Sequence, residues 1–179
     1  MRRSVASFRL LPVLEGRPIA VRTVDRIPGH PGGGEAWAAS SIRGRRILLH
    51  RSLENDPDEF CRILIHELFH FVWVRLGNPR RIAWEGVLAA ELGGGRSSGE
   101  LGYSAEWRKQ LLGSADQRER TRVWRVYAAE SFCDTAAWIY GEVADRHPEI
   151  TLRARDRNRR RRWFEQQISP GPDGRPVAI

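Results

Sequence analysis

Between Asp56 and Pro79 lies a stretch that is apolar nearly all round a helical wheel, yet it carries two histidines and a glutamate at its middle. It reads Cys61-Arg62-Ile63-Leu64-Ile65-His66-Glu67-Leu68-Phe69-His70-Phe71-Val72-Trp73. The helix assignment rests on its ends: Asp56-Pro57-Asp58-Glu59 offers a capping aspartate, a proline at the first helical position and a glutamate able to reach back. Gly77-Asn78-Pro79 stops it. A helix without a polar face must lie at the centre of a fold. Its buried imidazoles and carboxylate then need partners, because unpaired polar groups are expensive in a dry interior.

The spacing of those polar residues suggests what the partner is. His66 and His70 are one helical turn apart, so both rings project from one face and can share a metal ion. Glu67 is displaced around the helix and would approach a water on the metal, not the metal itself. Two neutral nitrogen ligands, an open coordination position and a nearby carboxylate base suit a zinc hydrolase. With 5 histidines and 14 glutamates in 179 residues, His-Glu-x-x-His is expected by chance about once in a hundred such chains.

Zinc of this kind needs a third protein ligand. Trp73 and Leu76 stand where a metzincin requires glycine and histidine, which excludes that pattern. Glu130 interrupts the apolar text Val126-Tyr127-Ala128-Ala129-Glu130-Ser131-Phe132-Cys133-Asp134, and Asp134 follows one turn later. A glutamate ligand beside an aspartate that receives the free N–H of a ligand histidine would complete a zinc site. Glu85 and Glu91, near Trp84, are the alternatives; an exposed helix face is their ordinary role.

Elsewhere, strand-like text covers Phe8 to Leu14, Ile19 to Val24, Ala36 to Ile42 and Arg46 to His50, with turns at Glu15-Gly16 and Arg43-Gly44 and a loop from Pro28 to Gly34. A small antiparallel or mixed sheet (residues 5–50) followed by a helical region (56–168) gives an α+β chain with one domain over 1–168. Helices are predicted from Ile82 to Leu92 and, opened by Ser114-Ala115-Asp116-Gln117, through Ala136 towards Arg146, ending at His147-Pro148. Gly93 to Gly99 reads as a mobile loop and 169–179 as a flexible tail.

Lys and Arg total 30 against 22 Asp and Glu, and Lys109 is the sole lysine. Seven arginines fall between Arg153 and Arg162, followed by Trp163-Phe164. A solvated helix end is favoured over a nucleic-acid clamp with stacking aromatics, since no nucleic-acid fold signature accompanies the block. No run approaches the ~18 apolar residues of a membrane span. Cys61 and Cys133 read as reduced core thiols. Arg9, Pro12 and Glu15 break the apolar stretch after Met1-Arg2-Arg3, so a cytoplasmic location is expected.

His-Glu-x-x-His on one helix and Glu-x-x-x-Asp on a later one resemble the thermolysin-type metallopeptidases called gluzincins. The order of parts is similar to compact cytoplasmic members of the ImmA/IrrE type, over roughly Ala36 to Tyr140. The resemblance implies a zincin-like fold and zinc-dependent cleavage of a peptide or protein substrate. It makes His66, His70 and Glu130 the zinc ligands, Glu67 the general base and Asp134 the orienting aspartate. Tyr103, Tyr127 and His147 are candidates for stabilising the oxyanion, with Tyr103 preferred because it follows a loop. Arg46 to His50 becomes a sheet edge that pairs with an extended peptide. A metal-holding regulatory or nucleic-acid-binding module with little or no peptidase activity is the alternative.

Overall fold

The computed structural model describes residues 11–27, 36–93, 99–141, 143, 147–168 and 176–179. Within them the chain is α+β, with little sheet and mostly helix. The predicted loop at 28–34, the first three residues of the strand from Phe8 and the centre of the 93–99 loop lie outside the described residues.

β1 (Leu14–Glu15), β2 (Ala20–Val24), β3 (Ala38–Ser41) and β4 (Arg46–His50) are followed by a 3-10 turn (Arg51–Asn55). β4 alternates exposed and buried positions and sends Ile47 and Leu49 inward, the period-two pattern of a half-buried strand. It is the central strand of three. β2 pairs with it in parallel (Val21 opposite Ile47), and β3 pairs antiparallel through the Arg43-Gly44 turn (Ser40 opposite Ile47). The sheet is therefore mixed. Both sides of Arg46–His50 are occupied, so it cannot be the peptide-pairing edge that the resemblance implied.

α1 (Pro57–Arg75) begins as its sequence requires: Asp56 accepts the Glu59 N–H and Pro57 opens the first turn. Glu59 does not reach back; it pairs with Arg62. The helix is apolar all round because it serves two cores. Phe60, Ile63, Leu64, Leu68 and Phe71 pack with Ile47, Leu49 and Leu53 under the sheet. Cys61, Ile65, Phe69, Val72 and Leu76 pack into a larger core with the other helices. His66 and His70 occupy the strip between these two apolar faces.

The remaining helices are α2 (Asn78–Gly93), α3 (Tyr103–Gln110), α4 (Asp116–Glu119), α5 (Arg122–Tyr140) and α6 (Ala154–Gln167). α3 had no apolar period to announce it. The predicted helix from Ser114 is two helices, because Arg120 adopts a left-handed conformation (φ 48°) and Thr121 then caps α5 by accepting the Trp124 N–H. α5 ends at Tyr140, not near Arg146. Val177–Ala178 form β5, parallel to β1, so the end of the predicted flexible tail is a strand. Among the described residues no helix is long and apolar enough to cross a membrane.

Arg153, Arg155, Arg161 and Arg162 of the arginine block are exposed, as a solvated helix requires, but Arg160 departs from that reading. Arg160 on α6 has no exposed surface and donates to Glu91 Oε2 (2.7 Å) and Glu100 Oε2 (2.6 Å). Lys109 Nζ lies 3.1 Å from Glu100 Oε1, which also accepts from the Tyr127 hydroxyl at 2.6 Å. Trp163 and Phe164 are buried against Trp84 and Phe132, so neither is available to stack on a base. Burial opposes ionisation of Glu100, but Arg160, Lys109 and the Tyr127 hydroxyl outweigh it and hold its pKa at about 2. At Glu91 burial wins over Arg160, with Glu100 and Asp156 adding to it, and the pKa rises.

Removing one partner of a buried pair strands the other charge, so Arg160→Met should cost ~3–5 kcal/mol in urea unfolding at pH 7. Glu100, with its pKa lowered in the fold, contributes stability that is present above the ordinary glutamate pKa of ~4.3 and lost as pH falls towards about 2. Glu91 has the opposite sign. Glu100→Gln should therefore destabilise more than Glu91→Gln at pH 7, with the gap narrowing as pH falls from ~4.3 towards about 2; a gap that stays constant over that range would contradict this assignment.

Candidate metal centre

α1 presents His66 and His70 with their Nε2 atoms 3.2 Å apart and their rings nearly perpendicular, at 77°. Glu130 on α5 approaches from the opposite side. Its Oε2 lies 3.3 Å from His66 Nε2 and 3.8 Å from His70 Nε2. Bonds of ~2.0–2.2 Å place any two ligands of a tetrahedral zinc about 3.3–3.5 Å apart. The three observed edges bracket that value, and the donor set of two imidazoles and a carboxylate is one zinc accepts. Among the described residues, these form the group of three metal-ligating side chains that converge on one point.

The other ring nitrogens are also engaged. His66 Nδ1 donates to Asp134 Oδ1 at 2.7 Å, while Asp134 Oδ2 accepts the Ala105 N–H at 2.8 Å. His70 Nδ1 faces the Cys133 sulfur at 3.4 Å. A single helix, α5, thus supplies Glu130 and a partner for each histidine. Glu67 is buried and its charge acts on both imidazoles.

No protein-family model, curated protein or solved structure matches this chain.

The electrostatics favour positive charge at this point. Burial opposes protonation of His66, but the charge and hydrogen bond of Asp134, with Glu130 and Glu67, push it up to about 10. Burial and its positive neighbour His66 push His70 down. Glu130 is opposed by burial yet held at about 2 by the two histidines and Arg108.

The alternative third ligands are engaged elsewhere. Glu85 accepts from Arg120 (2.7 Å) and from the Trp124 ring N–H (3.0 Å), and Glu91 is bound to Arg160. Tyr127 is buried on Glu100 and is not available to an oxyanion. His147 lies beside Glu59, two turns before His66. Tyr103 opens α3 and is 69% exposed.

Sequence reading missed Cys133, Arg108 and the α3 backbone. Cys133 was legible as a core thiol but not as a neighbour of His70. The contribution of α3 has one signal, Gly102. A Cβ there would lie within 2.6 Å of Asp134 Oδ2, so only glycine lets the start of α3 close over the carboxylate. Gly102→Ala should therefore destabilise by ~1–3 kcal/mol, as overpacking does. Gly86, inside α2 with open space around it, is the control: Gly86→Ala should stabilise by ~0.5–1 kcal/mol. Thermal or urea unfolding of both variants decides the point, and a neutral Gly102→Ala would show that Asp134 is not confined by α3.

Proposed function

We propose that this chain is a zinc-dependent metallopeptidase of gluzincin type, with a zincin-like fold of the compact ImmA/IrrE kind and a cytoplasmic setting. The observation that carries the reading is the convergence of His66, His70 and Glu130 at the ligand–ligand separations of one tetrahedral ion, with Glu67 on the same helix as the two histidines. Asp134 supports it by fixing the His66 ring so that Nε2 points to the ion site.

Zinc held there would polarise a peptide carbonyl and acidify a water. Glu67 takes the proton from the attacking water and delivers it to the leaving amine. Tyr103, exposed at the start of α3, is the side chain proposed to steady the developing oxyanion. The substrate is a peptide or protein. A nucleic-acid partner for the Arg153–Arg162 block is not favoured, because the aromatics that would stack lie in the core.

Purified protein should hold about one zinc per chain, and His66→Ala or His70→Ala should lose it. Glu67→Gln should keep the zinc while peptidase activity on a degenerate peptide library falls by ~10²-fold or more. Full activity in Glu67→Gln would remove Glu67 as the base. Zinc bound by a wild-type protein inert towards every peptide would favour a metal-holding regulatory module. In competition with a calibrated chelator, Glu130→Ala should nearly abolish tight zinc binding while Glu85→Gln leaves it unchanged; the reverse order would move the third ligand to α2.

A further inference from the structure

The two oxygens of Glu130 face different partners. Oε2 points to the histidines, whereas Oε1 lies 3.3 Å from Arg108 Nη2 on α3. Arg108 is itself held firmly. Its Nη1 donates to the Ser104 carbonyl one turn back at 2.7 Å, and its guanidinium stacks on the Trp107 ring with 4.4 Å between centres. α3 therefore meets α5 at two rungs: Ala105 on Asp134, and Arg108 on Glu130. The first rung orients a histidine through its aspartate; the second engages the carboxylate ligand.

A glutamate can give a metal one oxygen or both. With both, it fills two coordination positions and crowds the one that a water or a substrate carbonyl needs. A catalytic zinc differs from a structural one in keeping that position open. From the division of Glu130 between His66, His70 and Arg108, we infer that Arg108 is a positioning residue of the metal centre: it occupies Oε1 so that Glu130 offers a single oxygen to the ion. The guanidinium suits this task because its planar fork can satisfy Ser104 and Glu130 at once. This inference rests on the zinc reading above, and deepens it by assigning the residue that keeps the site open.

The test uses full-length protein loaded with Co(II), whose visible d–d bands are strong in four-coordination and weak in higher coordination, alongside zinc affinity by chelator competition. Wild type should show the strong four-coordinate bands. Arg108→Met keeps an unbranched apolar stem but removes the guanidinium and so frees Oε1; the metal should stay bound while the bands weaken and activity falls ~10- to 100-fold, the usual loss when the partner of a ligand is removed. Arg108→Lys keeps a cation for Oε1 and should restore most of the band intensity. Circular dichroism and urea unfolding accompany each variant, since a merely structural tie between α3 and α5 would lower stability without moving the bands. Arg108→Gln serves as the second neutral variant should Arg108→Met not fold. Unchanged bands in a folded neutral variant, or wild-type bands already weak, overturn the role of Arg108 while leaving the metal site standing. Failure of wild type to bind zinc or cobalt overturns both.

Discussion

Asp134 sits with 2% of its surface exposed, bridging His66 Nδ1 on α1 and the Ala105 N–H at the start of α3. A carboxylate in that position is tolerable only if both oxygens are satisfied. The requirement ties three helices to one point. α1 must present an imidazole there, α3 must begin with a residue lacking a side chain so that its backbone can close in, and α5 must carry the aspartate inward. Once these hold, Glu130, one turn before Asp134, is brought to the two Nε2 atoms without further adjustment.

The interior is otherwise organised to leave that point undisturbed. α1 buries one apolar face under the sheet and another among the helices, which confines its polar residues to the strip between them. The carboxylates that could compete for a cation are neutralised away from the site. Glu85 is matched by Arg120, and Glu91 and Glu100 by Arg160, with the sole lysine, Lys109, completing the second group. In a chain so rich in arginine, the buried arginine acts as an internal counter-ion with enough donors to serve two carboxylates.

The pairing of the two histidines is unequal. His66 has a full carboxylate on its far nitrogen, whereas His70 has a neutral sulfur at 3.4 Å, a weaker acceptor. His66 is therefore the more tightly oriented and the more basic of the two rings. The same inequality appears between the oxygens of Glu130, one facing the two histidines and one facing Arg108. The centre is built from matched pairs whose members have been given different surroundings.

The sequence by itself determined the contents of the site. One-turn spacing puts His66 and His70 on one face, Glu130 and Asp134 break an apolar helix at the same spacing, and both facts follow from the period of an α-helix. It also determined that α1 is buried, since no polar face exists to turn outward. Tertiary structure alone decided which partners those residues meet. That Arg46–His50 is a central strand, that α3 exists and closes on Asp134, that Cys133 faces His70, and that Arg160 is enclosed between Glu91 and Glu100 are contacts between segments far apart in the chain. Helical period is a local property written in neighbouring residues. Strand order and charge pairing depend on how distant segments pack, and an arginine destined for the core is spelled like one destined for water.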